Sequence, residues 1–192
     1  MLNLFSGVWA DRWGRKKLLV SGWIAALPVP LLIIWAQSWA WVAIANVFLG
    51  VNQGLTWTMT QTSKLDIASE GEQGFAAGVN EWSGYLGVAV ATVVTGYLAT
   101  IFGIRPVPFY FGLIIVFIAL MISVSFVKET QLYAHRTSDL SEISMRRGII
   151  DVLKEVSWRN RSLFVCSQAG LVEKFVDVMV WVAFPLFFQS LS

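Results

Sequence analysis

Residues Gly7 to Lys17 read GVWADRWGRKK, with two glycines and five charged side chains set immediately before a strongly apolar stretch that starts at Leu18. This arrangement predicts a tight cytoplasmic turn between two membrane spans, its basic run meeting anionic lipid headgroups. The six residues before it, MLNLFS, form a short apolar stub. They lack the n-region, h-region and small-residue cleavage site of a leader and read as the tail of a span whose beginning lies outside the sequence.

Composition leads to the same class. Of 192 residues 56% are apolar and 14% charged, and the mean hydropathy is +0.65, too little polar surface to cover a soluble fold. Five segments are long enough, at about 1.5 Å per residue, to cross about 30 Å of hydrocarbon: Leu18 to Trp35, Trp39 to Gln61, Phe75 to Phe102, Pro108 to Val127 and Leu163 to Phe188. Each is expected to be a helix, since an open strand leaves backbone groups unsatisfied in lipid. With the first turn inside, Thr62 to Gly74 and Lys128 to Ser162 are inside too. Twelve of the 14 Lys and Arg then fall in the three inside loops, with Arg105 outside and Lys174 within a span, the expected positive-inside bias. Trp35, Trp39 and Trp41 crowd the outer hairpin, and Trp9 and Trp13 flank the inner turn, as interfacial anchors do. Pro28, Pro30 and Pro185 are expected to bend their spans.

Lys128 to Ser162 carries seven basic and five acidic residues. Asp139 followed by Glu142 can cap a helix start, and Met145, Ile149, Val152, Leu153 and Val156 share one side at helical spacing. A surface helix linking two bundles is one reading and a charge-mixed linker the other. The lone Cys166 excludes an intramolecular disulfide, and His135 lies in a polar stretch as a solvated loop histidine. No metal or cofactor is expected.

The pattern G-x-x-x-D-R-x-G-R-K-K, with Gly7, Asp11, Arg12, Gly14, Arg15, Lys16 and Lys17 in place, resembles the signature loop between spans 2 and 3 of the major facilitator superfamily. The resemblance implies an all-α membrane protein, a partial bundle of five complete transmembrane helices plus a stub of another. Residues 1–127 would belong to the N-terminal six-helix half, 128–162 to the cytoplasmic linker and 163–192 to span 7. It implies a loop that latches the two halves on the cytoplasmic side, and an arginine, here Arg15, paired with an acid at the end of span 4, for which Asp66 is the candidate. The two glycines fit close approach and unusual backbone angles, and Asp11 fits a place near a helix N-terminus.

Asn46 to Gly54, NVFLGVNQG, keeps Gly50 and Gly54 of the superfamily's span 4 pattern and has Asn46 where an arginine assists proton transfer. Asn46, Gln53, Trp57 and Gln61 form a polar and aromatic stripe that lipid would not accommodate. Cavity-facing solute contacts and interhelical hydrogen bonds remain open for its amides. In the next span Asn80, Gly84, Gly87, Ala91 and Thr95 make a row fit for close packing. Gly87 to Gly96 keeps the outer glycines of the efflux members' pattern without its proline. Glu81 within that span is either a functional ionisable group or a side chain snorkelling to the interface. In the last span Glu173, Lys174 and Asp177 lie near mid-bilayer, followed by Trp181, with Lys174 and Asp177 three apart and able to pair.

The expected function is secondary transport of a small solute by alternating access, with lipid and solute as partners, protons as a candidate coupling ion, no nucleic acid, and a multi-pass location in the cytoplasmic membrane. A non-transporting membrane scaffold and a multi-span membrane enzyme are the alternatives, and no catalytic residue is assigned. The spans absent from the sequence imply that the chain does not transport by itself.

Overall fold

The computed structural model describes residues 2–69, 71–131, 133, 154 and 158–191. The chain divides into two compact units, Met1–Ser138 and Asp139–Ser192. Helices α1 (Leu2–Trp13), α2 (Arg15–Ala26), α3 (Pro28–Ile34), α4 (Trp39–Ile67), α5 (Gln73–Phe102) and α6 (Val107–Ser125) lie in the first, and α7 (Arg161–Leu191) lies in the second. Among the described residues there is no strand. The predicted surface helix of the linker, with Asp139, Glu142, Met145, Ile149, Val152, Leu153 and Val156, falls outside the described residues, as does His135.

The stretch expected as a turn is almost wholly helical. α1 runs to Trp13 and α2 starts at Arg15, so the chain reverses through Gly14 alone, whose φ of 92° lies in the region that favours glycine. The next path is interrupted at Pro28 alone of its two prolines, Pro30 lying inside α3. Pro28 opens α3, and the Leu27 amide bonds back to Ile24 O in a tighter turn. Ser38, in extended conformation, precedes α4, and Gly103, with φ 84°, ends α5. α7 continues through Pro185.

α4 is the spine of the first unit and touches α1, α2, α3 and α5, while α6 closes against α2, α3 and α5. Ala10, Leu18, Leu19, Leu55 and Met59 form the core, with Trp23, Val51 and Val127 packed against it. Gly22 makes the α2–α4 approach possible, since a Cβ there would meet Thr56 Cγ2 at 2.8 Å and Leu55 Cβ at 3.0 Å. Asn52 fixes the same crossing, its Nδ2 donating to Gly22 O at 3.0 Å.

Arg15–Ile34, Gln73–Phe102 and Val107–Ser125 are long and apolar enough to cross a membrane. The other two predicted spans, α4 at 29 residues and α7 at 31, have the length, but amides or charges interrupt their apolar runs. On α5 and α6 the large apolar side chains, Val90, Val93, Ile114 and Phe117 among them, point outward, as they would toward lipid or neighbouring helices. The small-residue row on α5 packs only at its first half. Asn80 is buried and Gly84 lies against Trp57, whereas among the described residues a Cβ at Gly87 would meet nothing within 4 Å, Ala91 is exposed and Thr95 is half-buried.

Truncation at the centre and at the apolar surface should separate cleanly. Met59→Ala removes a fully buried side chain and is expected to cost about 2–5 kcal/mol. Val93→Ala, at an exposed position, should stay within about 0.5 kcal/mol. Thermal unfolding of the detergent-solubilised protein checks both, and equal midpoints would refute the core assignment.

Candidate functional site

The junction of α1 and α2 gathers most of the charged side chains of the motif. Three basic residues, Arg15, Lys16 and Lys17, occupy the first turn of α2, which carries no acid of its own. Cations at a helix N-terminus are unfavourable, so the anions must come from elsewhere in the fold. Asp66, at the end of α4, supplies one: Arg15 Nε donates to its Oδ2 at 3.0 Å. Asp11 supplies a second, 2.9 Å from Arg15 Nη1, and the same nitrogen donates to Ala10 O at 3.0 Å. Arg15 is buried, and Asp66 is nearly so with 11% of its side chain exposed. Asp11 keeps 60% exposure.

Glu129, just beyond α6, is the third anion, and it was not foreseen. Its Oε1 accepts from the Arg15 amide at 2.8 Å and its Oε2 from the Lys16 amide at 3.2 Å, two of the N–H groups that a helix start leaves unpaired. Its Oε1 also accepts from the amides of Thr130 and Gln131, each at 3.1 Å. Burial alone would raise the Glu129 carboxyl, but the four backbone donors outweigh it and hold the group below its ordinary value. Thr130 Oγ1 donates to Asp66 Oδ2 at 3.2 Å, Gln131 Nε2 to Asp11 O at 2.6 Å, and Lys16 Nζ to Val124 O at 2.8 Å. The start of the predicted linker is therefore tied into the first unit.

Asp11 lies near the start of α2, beside Arg15, and it is Glu129 that accepts from the first amides of that helix. One expectation about the motif needs correction. Gly7 lies within α1, and among the described residues a Cβ there would meet nothing within 4 Å, so neither close approach to them nor backbone angle demands glycine. Gly14 is the reverse case. Besides its positive φ, a Cβ on it would collide with the Glu129 carboxylate. Arg12 and Lys17 are exposed.

Along α4, Asn46 is exposed and donates to Val42 O of its own helix at 2.9 Å. Gln53 is exposed and Trp57 half-exposed, its indole lying over Gly84. Lys64 Nζ donates to Asn80 Oδ1 at 2.8 Å, and Glu81, half-buried, follows Asn80 on α5. Asn52 and Thr56, both buried, were missed, because their one-face position on α4 is apparent only once Gly22 is seen opposite. On α7, Lys174 Nζ lies 3.3 Å from both Glu173 Oε1 and Asp177 Oδ2. Trp181 lies one turn beyond Asp177 on the same helix. At the end of the first unit remote from Gly14, a cavity of about 310 Å³ is lined by Ala36, Gln37, Ser38, Trp39, Val42 and Arg105. It involves none of the residues singled out in the sequence as site residues. Among the described residues no cluster of potential metal ligands occurs.

A helical protein with several helices fit to cross a membrane, and with charge gathered at one helix junction, is a multi-pass membrane protein. It belongs to the Major Facilitator Superfamily, whose family model matches residues 1–192. Multidrug resistance protein MdtG of Proteus mirabilis (strain HI4320) is 25% identical over 162 residues, an alignment that covers 84% of this chain and 38% of that protein. The chain thus spans less than half the length of that relative. No solved structure matches it.

The junction's anions should differ in weight. Asp66→Asn strips a buried guanidinium of its covered partner and is expected to cost about 3 kcal/mol or more, whereas Asp11→Asn, at an exposed position, should cost under about 1 kcal/mol; thermal unfolding midpoints rank them. Glu129 adds a pH signature. Because its folded value is depressed, its contribution is complete above the ordinary glutamate value of about 4.3 and is lost as pH falls through the lower folded value. Between about pH 7 and pH 3, the midpoint of Glu129→Gln should therefore fall less than that of the unsubstituted protein, and parallel curves would exclude the assignment.

Proposed function

We propose that the chain contributes the end of span 2 and spans 3 to 7 to a secondary transporter that moves a small solute across the cytoplasmic membrane by alternating access. On this reading residues 1–127 belong to the N-terminal bundle, 128–162 to the cytoplasmic linker, and 163–192 to the first helix of the C-terminal bundle. The observation that carries the reading is Arg15, buried between Asp66 and Asp11 at the single-residue break of Gly14. A buried charge network stabilises one arrangement of helices strongly, and it can be exchanged for another when a ligand binds the second state better. The motif then acts as the cytoplasmic latch.

Protons are the proposed coupling ion, and Glu173, Lys174 and Asp177 on α7 are the groups proposed for their passage or for solute contact. Ionisable side chains at membrane depth are costly and mark such pathways. Asn46 bonds only along its own helix among the described residues and supplies no charge to help. The relative's name, a multidrug resistance protein, together with the paired carboxylates of α7, favours export of apolar cations.

Energised membrane vesicles containing the complete transporter of which this chain is proposed to be a part, loaded with a fluorescent lipophilic cation, test this. Asp66→Asn and Asp177→Asn should each lower the flux by about tenfold, the range of a coupling free energy between states. Undiminished flux in both variants would sink the assignments. Loss with Asp177→Asn and indifference to Asp66→Asn would keep the α7 site and remove the latch, whereas no flux above that of protein-free vesicles would favour the scaffold or enzyme alternatives.

A further inference from the structure

The α4–α5 seam carries two polar atoms that the latch and the α7 charges do not use. Trp57 lies against Gly84, where a Cβ would meet its Cη2 at 2.6 Å and its Cζ3 at 2.8 Å. Lys64, seven residues further along α4, donates to Asn80, four residues back along α5. The helices therefore run antiparallel, and the register set by Trp57 and Gly84 puts Gln61 opposite Asn80. Gln61 Oε1 and Asn80 Nδ2 are both buried, and neither has a hydrogen-bond partner among the described residues. Asn80 is only 4% exposed. One atom is an acceptor and the other a donor, so they are complementary in kind yet not within bonding reach of each other.

Buried polar atoms are almost always paired, directly or through a small bridging group. A group that accepts from Asn80 Nδ2 and donates to Gln61 Oε1 needs both capacities close together, and a hydroxyl is the smallest group that supplies them on a single atom. The Trp57 indole offers an apolar face beside it, and the Lys64 ammonium, held on Asn80 Oδ1, fixes which end of the Asn80 amide points into the seam. We propose that Gln61 and Asn80 form a binding site for a hydroxyl group, supplied by one water molecule or by a hydroxylated solute. Only the solute source rests on the transport reading, and it requires a hydroxyl on the solute besides any charge, for which glucose and inositol serve as hydroxyl probes; the site is tested without any flux measurement.

The test is the unfolding midpoint of the detergent-solubilised protein, with and without millimolar glucose or inositol. Gln61→Met keeps the side-chain length and removes the acceptor. Asn80→Asp keeps an oxygen for Lys64 and removes the donor, and Asn80→Ser serves the same cycle where Asn80→Asp does not fold. A sugar-induced rise in midpoint that Gln61→Met abolishes supports the site with a solute hydroxyl in it. Without a Gln61-dependent rise, losses in the double variant that fall short of the summed single losses by about 2 °C or more support the site with water in it. Additive losses and no Gln61-dependent rise would overturn the proposal.

Discussion

The burial of the Arg15 guanidinium at the start of α2 sets the terms for the rest of the first unit. A cation in that place opposes the helix dipole and loses its hydration, two costs that are large unless anions and acceptors surround it. Its partners come from three parts of the chain. Ala10 and Asp11 reach it from the end of α1, Asp66 from the far end of α4, and Thr130 holds Asp66 from beyond α6. Satisfying one side chain therefore fixes where α1, α4 and the segment after α6 must end. Gly14 is the geometric condition, since any larger residue would both strain the backbone and displace Glu129.

Polar chemistry concentrates at that end of the helices and thins away from it. α4 mixes its roles along its length: Ala45, Asn52, Gly54, Leu55, Thr56 and Met59 are buried on a helix that packs against α1, α2 and α3, while Asn46 and Gln53 face outward. α5 and α6 show mainly apolar side chains outward. At the opposite end, Arg105 donates from one nitrogen to Ile33 O and Ala36 O, at 3.2 and 3.1 Å. These carbonyls lie at and just beyond the end of α3, where unpaired acceptors and the negative end of the dipole welcome a cation. That outer tie involves one charge and no acid, whereas the inner junction stacks three carboxylates and a buried guanidinium.

Legibility followed the range of the interaction. The charge pattern of Gly7 to Lys17 is contiguous, so the motif could be read directly, and the family pattern named Asp66 as the partner of Arg15. Lys174 and Asp177 were legible because a helix puts residues three apart side by side. Glu129 was not legible. An acid in a polar stretch behind a span is unremarkable until the fold carries it to the two free amides of α2. Gly7 was over-read, since the motif gives the residue and not the neighbour that would require it. The row on α5 was legible in kind but not in partner: among the described residues Lys64 meets Asn80 and Trp57 meets Gly84, and spacing alone names neither.

The arrangement around Arg15 has a consequence for motion under the transport reading. Its two carboxylates are unequal, because Asp66 is nearly enclosed and belongs to another helix, while Asp11 is largely exposed and sits four residues away across the Gly14 break. Parting α2 from the end of α4 would break the first contact and leave the second, so the guanidinium would never be wholly without a counter-charge. Glu129 works in parallel, since its bonds are to backbone amides of residues 15, 16, 130 and 131 and hold the segment after α6 to α2 whichever way Arg15 turns. An interaction that must open and close repeatedly needs a cost of opening that is appreciable but not prohibitive. A local, solvated second carboxylate is a physical means of setting that cost.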